Sequence, residues 1–168
     1  MRSEIGKGST FGFILNFAKA NLKPGDATPH ALEIRKPNGN TSNAIRPVRI
    51  LVAEDVALNQ LLIRIIIADF GFDLDIAANG KIAIEMLKQN EYDVVLMDLQ
   101  MPEMNGFEAT GYIRGTMHST VPIIALTADV TPIDIERCKE IGMNDYVSKP
   151  IDEKVLYSKI LHCLQSRV

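Results

Sequence analysis

The stretch VVLMDLQMPEMNG, residues 94–106, runs four apolar residues into an aspartate, Asp98. Alternate side chains of a strand point to opposite sides of a sheet, so a strand apolar at consecutive positions is covered on both faces. A carboxylate at the end of such a strand costs stability unless it is paired or does chemistry. The surrounding pattern decides between these.

From Val48 onward, compact apolar runs alternate with longer amphipathic ones: VRILVA, then 56–70, DIAA near 75, 80–89, DVVLMD, 106–116, VPIIAL, 132–141, DYVS and 152–165. Five β/α repeats of this kind predict a parallel sheet with helices on both faces. VRILVA and DVVLMD read as its central strands. In such folds ligands gather beyond the carboxyl ends of the strands.

The composition is that of a globular domain of ordinary size, with 168 residues, 46% hydrophobic and 23% charged. A formal charge of −3 argues against a surface built for nucleic acid or anionic lipid. No DNA-binding segment follows the repeats, and no nucleic-acid partner is expected. Cys138 and Cys163 lack metal or disulfide spacing and read as reduced side chains. His30, His118 and His162 have no partners at ligand spacing and read as surface residues. The longest apolar run, Leu61 to Phe72, is broken by Arg64 and Asp69 and is shorter than the about 20 residues needed to span a bilayer. FGFILNFA before Ala18-Lys19-Ala20 resembles a secretory leader, but Glu4 and Asn16 interrupt its basic and apolar parts.

The strand-end rule gives Asp98 neighbours. The first strand ends in Glu54-Asp55, the third in Asp98, the fourth in Thr127, and the fifth leads into Lys149-Pro150. Three carboxylates at one edge repel by on the order of 4 kcal/mol per pair at about 4 Å in an effective dielectric near 20, so the cluster calls for a cation. Oxygen ligands favour Mg²⁺ over zinc. Taken singly, Glu54 and Asp55 could instead cap the following helix. Together, metal-binding acids, a hydroxyl and a lysine around an aspartate suit a phosphoryl group, and Asp98 could attack phosphorus to form an aspartyl phosphate.

These residues resemble the receiver domain of two-component signalling. The resemblance runs from about Val48 to the end and rests on Glu54-Asp55, MDLQMPEMNG around Asp98, ALTA with Thr127, and Tyr146 followed by Lys149-Pro150. It implies a three-layer, doubly wound, flavodoxin-like (βα)5 fold with strand order 2-1-3-4-5. It implies Asp98 as phosphoacceptor, Glu54 and Asp55 as Mg²⁺ ligands with Asp98 and the Gln100 backbone carbonyl, Thr127 and Lys149 on the phosphoryl group, and Thr127 with Tyr146 as a switch. A cis Lys149-Pro150 bond is also implied. Asn105 stands where many members have aspartate.

Upstream, Gly6-Lys7-Gly8-Ser9-Thr10-Phe11-Gly12-Phe13 resembles the last glycine box and closing strand of a histidine kinase ATP-binding domain. TFGFILNF, residues 10–17, alternates as a half-buried strand does. Lys19 to Pro47 is polar, with Pro24, Gly25, Pro29, Pro37 and Gly39 and no periodicity, and reads as a linker. The order implies a hybrid histidine kinase, with a remnant of the ATP-binding domain at 1–18, a linker at 19–46 and a receiver at 47–168. The earlier nucleotide-binding boxes and kinase histidine are absent, so useful ATP binding is not expected of this piece. The implied partners are a histidine kinase core or a histidine phosphotransfer domain, with the module a monomer or weak dimer. The implied location is cytoplasmic, whether or not the parent kinase is anchored in a membrane.

In helix 56–70, Leu58, Leu62, Ile66 and Phe70, with Ile63 and Ile67, make a core stripe. Ala57, Leu61, Ile65 and Ala68 form a second apolar stripe. Either the buried face is wide, or the second stripe docks a partner helix. Three rival functions remain open: a receiver fold that docks without being phosphorylated, a small-molecule enzyme on the same sheet, and a phosphate sink.

Overall fold

The computed structural model describes residues 2–4, 8–10, 46–128 and 131–166. The chain divides into two units, Met1–Asn43 and Ala44–Val168. In the first, β1 (Arg2–Glu4) pairs antiparallel with β2 (Gly8–Thr10) in the register Ser3 to Ser9. Of the strand expected at 10–17, only Thr10 is described, within β2; the remainder, and the linker up to residue 45, lie outside the described residues.

The second unit runs β3 (Arg49–Ala53), α1 (Ala57–Asp69), β4 (Asp73–Ala77), α2 (Gly80–Gln89), β5 (Val94–Asp98), α3 (Gly106–Gly115), β6 (Ile123–Thr127), α4 (Pro132–Glu140), β7 (Asp145–Ser148) and α5 (Glu153–Gln165). The sheet is wholly parallel in the order β4-β3-β5-β6-β7. Counted within this sheet, that is 2-1-3-4-5, the flavodoxin-like order. Among the described residues no helix is long and apolar enough to cross a membrane.

Strand alternation builds the three layers. Leu51, Val95, Met97, Ile123 and Ala125 pack with Ala83, Ile84, Ala109, Ile113 and Cys138 of α2, α3 and α4. Ile50, Val52, Leu96, Ile124 and Leu126 pack on the other face with Ile63, Ile66 and Ile67 of α1 and Leu156 and Ile160 of α5. Every residue of β5 and β6 is buried, which is why both read as unbroken apolar runs. His118 and His162 are exposed, and Cys138 and Cys163 are buried free thiols whose pKa burial pushes up.

One expectation is corrected on α1. The apolar period places Leu58 and Leu62 in the core stripe, but they are 73% and 46% exposed. The sheet-facing residues are Ile63, Ile66 and Ile67, with Phe70 partly buried beside them. A helix that packs on one sheet face buries one stripe at i, i+3, i+4 and i+7, and Leu58 and Leu62, one turn apart, lie on its flank.

At the amino ends of the strands, Arg49 of β3 meets Asp75 of β4 at 2.8 Å. The Tyr92 hydroxyl donates to the same carboxylate at 2.9 Å. Burial, then the bond to Asp75, pushes the Tyr92 pKa up to about 12. The folded state thus holds a proton that the unfolded chain releases near pH 10, so stability is full below that pH and falls toward 12. Denaturation curves should show wild type losing about 2–3 kcal/mol relative to Tyr92→Phe between pH 10 and 12. Parallel curves would count against this.

Candidate metal and phosphoryl site

Glu54 and Asp55 follow β3 directly, and β3 neighbours β5 in register Ala53 to Met97, so both acids stand beside Asp98. One carboxylate oxygen from each of Glu54, Asp55 and Asp98 lies within 4.8 Å of the others. Such a set of hard oxygen donors could hold a divalent cation. Glu54 is fully buried and Asp98 nearly so, while Asp55 is the most accessible of the three.

Lys149, delivered by the end of β7, joins the two buried acids: its Nζ lies 2.7 Å from Glu54 Oε2 and 2.5 Å from Asp98 Oδ2. Its backbone N–H donates to the Thr127 carbonyl at 2.7 Å, and Lys149-Pro150 is cis. Thr127 closes β6 opposite Ser148, one residue past Leu126, the register partner of Asp98. The five expected strand-end residues therefore share one edge of the sheet.

The two buried acids have further partners. Asp98 Oδ1 accepts from the Gln100 N–H at 3.0 Å. Glu54 Oε1 accepts from the Val56 N–H at 3.1 Å and the Asn59 amide at 2.9 Å, and the Gln60 amide donates to the Glu54 carbonyl at 2.6 Å. Glu54 is no helix cap, since α1 begins at Ala57 and its N-cap residue is Val56, with no side-chain cap bond. Asn59 and Gln60 were not foreseen. Their signal was available as two amides in the first turn of an otherwise apolar helix, ALNQLLI.

The two buried acids are tuned in opposite directions. Burial is the largest influence on Glu54 and raises its pKa, but Lys149, Asn59 and the Val56 N–H outweigh it and hold the carboxyl below its usual value. At Asp98 burial wins over Lys149 and the Gln100 N–H, and the Glu54 charge adds to it, so its pKa is raised. Burial opposes the Lys149 charge, but Asp98 and Glu54 overcome it and raise the ammonium pKa.

Gly106 lets helix α3 start against this edge. Its N–H donates to the Leu99 carbonyl at 3.3 Å. Asn105 caps α3: its side chain accepts the Glu108 N–H and the Glu108 carboxylate accepts the Asn105 N–H, both at 3.0 Å. The amide oxygen of Asn105 thus serves the cap that an aspartate would.

Tyr146 lies on β7, half-buried against the face that carries α4. The Lys159 Nζ stands 5.0 Å from its ring centroid. On α1, the second stripe is exposed: Leu61 and Ile65 are 55% and 54% accessible, and Ala57 and Ala68 are exposed with them.

Residues 50–161 match the response regulator receiver domain family. The curated relatives include hybrid signal transduction histidine kinases, and the chain spans 6–12% of the length of the first of them. The aerobic respiration control sensor protein ArcB of Escherichia coli is 32% identical over 160 residues, covering 94% of this chain and 19% of that protein. The receiver domain of a sensor histidine kinase from Pseudomonas aeruginosa PAO1, solved with a magnesium ion in its active site cleft, matches at TM-score 0.66 and 34% identity, covering 71% of this chain and 99% of that one. A co-crystal structure of a Saccharomyces cerevisiae histidine phosphotransfer protein with the receiver domain of its downstream response regulator matches at TM-score 0.66 and 29% identity, covering 71% of this chain and 92% of the matched one. The parallel sheet, its acidic edge and the match over most of its length make this chain a member of the response regulator receiver domain family.

Proposed function

We propose that the module accepts a phosphoryl group on Asp98 from a phosphohistidine, with Mg²⁺ held by Glu54, Asp55, Asp98 and the Gln100 carbonyl, and relays it or switches shape. The observation that carries this reading is the Lys149 ammonium set between Glu54 and Asp98 at 2.7 and 2.5 Å. An Asp98 oxygen forms the bond to phosphorus as the bond from phosphorus to the imidazole nitrogen breaks, and the imidazole takes a proton from solvent. When bound by these residues, Mg²⁺ would supply positive charge to neutralise the phosphoryl oxygens. Lys149 and Thr127 hold the transferred group, and Tyr146 follows Thr127 when the site fills. Intact-protein mass after exposure to a small phosphodonor, with and without Mg²⁺, tests the reading.

Lys149→Met should destabilise the Mg²⁺-free protein by about 2 kcal/mol: stripping one partner from a fully buried ion pair costs about 3–5 kcal/mol, and the 21% exposure of Lys149 lets solvent screen part of that. Saturating Mg²⁺ should recover most of that loss in thermal melts. Equal losses with and without Mg²⁺ would count against metal binding at this edge.

We also infer the partner: a histidine phosphotransfer domain or kinase core, docking its helices on Ala57, Leu61, Ile65 and Ala68, with Leu58 and Leu62 extending the same surface. Ile65→Asp should slow transfer from such a partner about tenfold or more while leaving labelling by a small phosphodonor unchanged. Equal rates of partner transfer would exclude this docking face. The division into a kinase remnant at 1–18, a linker at 19–46 and a receiver at 47–168 belongs to the same proposal. It draws support from an alignment that covers 94% of the chain and so reaches past the second unit. Limited proteolysis should cut first within 19–46.

A further inference from the structure

The loop between β5 and α3, residues 99–105, carries Gln100 beside Asp98 and is fastened at its far end to α2. The Met104 N–H donates to the Pro102 carbonyl at 2.7 Å, closing a three-residue turn on Glu103. Glu103 has φ +63, the rarer and more strained form of such a turn. A non-glycine residue stays in that region only when its surroundings enforce it. Two bonds from the start of α2 do so. The Gly80 N–H donates to the Met104 carbonyl at 3.1 Å, and the Asn79 Nδ2 donates to Glu103 Oε1 at 3.1 Å.

Asn79 is fitted to this task. It is 6% exposed, and its Oδ1 accepts the Ile82 N–H at 2.9 Å, which caps α2 and leaves the amide nitrogen aimed at Glu103. Lys81 lies 3.6 Å from the other Glu103 oxygen, but both side chains are mostly in solvent and that pair contributes little.

We propose that Asn79 and Glu103 form a positioning latch that fixes loop 99–105, so that Mg²⁺ affinity at Glu54, Asp55 and Asp98 depends on this remote hydrogen bond. The inference rests on the reading of Asp98 as a Mg²⁺-assisted phosphoacceptor. Asn79 and Glu103 touch neither cation nor phosphoryl group. They act through the Gln100 backbone, whose N–H holds Asp98 Oδ1.

The test is a Mg²⁺ titration by calorimetry, with labelling by acetyl phosphate measured across Mg²⁺ concentrations. Asn79→Asp keeps the acceptor that caps α2 but replaces the donor with a carboxylate facing Glu103. It should weaken Mg²⁺ binding about tenfold, the scale of lost outer-shell support, although the added negative charge by itself would favour a cation. Labelling should slow at low Mg²⁺ and approach the wild-type rate at saturation. Adding Glu103→Gln to that variant returns a donor to the pair and should restore affinity. Glu103→Gln alone keeps the Asn79 bond and should stay within twofold of wild type, whereas Glu103→Ala, on the exposed loop, should match the loss in Asn79→Asp. Asn79→Asp within twofold of wild type, or a double variant as weak as the single one, would overturn the latch while leaving the phosphoacceptor reading in place. A wild type that neither binds Mg²⁺ nor takes up phosphate would overturn both.

Discussion

Wild-type protein incubated with acetyl phosphate and Mg²⁺ should gain the mass of one phosphoryl group, and Asp98→Asn should gain none; this is the largest functional effect expected of any single substitution here. The amide of asparagine keeps the volume and can still accept the Gln100 N–H, so the fold should survive. What disappears is the nucleophile: an amide oxygen is a far weaker donor toward phosphorus than a carboxylate. The loss should be complete rather than graded, because among the described residues no other carboxylate has Asp98's setting. Glu54 is fully buried and its oxygens are taken by Lys149, Asn59 and Val56, while Asp55 has no comparable tie to Lys149 among the bonds described. The substitution also removes one charge from a three-carboxylate cluster, so Asp98→Asn should be as stable as wild type or more so without Mg²⁺. Labelling of Asp98→Asn at the wild-type level would move the acceptor elsewhere. A wild type unlabelled at saturating Mg²⁺ would instead favour a docking module that is never phosphorylated.

The parallel sheet was legible because burial on both faces leaves a mark in the chain, whereas its strand order followed only from the resemblance to receiver domains. β5 and β6 are apolar at every position short of their polar ends, and those ends are where the chemistry gathers. Helix α1 was legible in extent but not in orientation. Its apolar residues occupy more than one face, so periodicity alone could not say that Ile63, Ile66 and Ile67 face the sheet while Leu58 and Leu62 face outward. The site acids were readable from strand ends, whereas their supports were not. Asn59 reaches Glu54 from within a helix, and Asn79 reaches Glu103 across 24 residues. Such pairings depend on how two loops meet, and single-chain patterning holds no period or spacing that records that meeting. Arg114 is a similar case. It looks like a surface cation at the end of α3, yet it donates to the carbonyls of Gly142, Ser119 and Val121 at 2.8–2.9 Å, tying together the loops at the amino ends of β6 and β7.

Gly106→Ala is the substitution expected to cost most in stability. In most helices alanine is better than glycine by roughly 0.5–1 kcal/mol, so propensity predicts a gain. Space predicts the opposite. A Cβ at position 106 would lie 2.3 Å from the Asp98 carbonyl oxygen and 3.0 Å from its carbonyl carbon. The obstruction is backbone in the central strand, which no rotamer change can clear, so either β5 or the start of α3 must move. Overpacking of this kind costs about 1–3 kcal/mol and occasionally more, and the upper end applies because Met97 is held between β3 and β6 and Asp98 is paired with β6. The same shift would displace the Asp98 carboxylate from Lys149 and Gln100, so phosphoryl uptake should fall together with stability. Gly115, at the other end of α3, has nothing within 4 Å of its would-be Cβ. There Gly115→Ala should leave phosphoryl uptake untouched and raise stability by up to about 0.5 kcal/mol. Urea denaturation of the two variants side by side separates propensity from space. Gly106→Ala at or above wild-type stability would mean that β5 and α3 are not locked together at Asp98, and the precision ascribed to the acceptor's position would have to come from Lys149 and the cation alone.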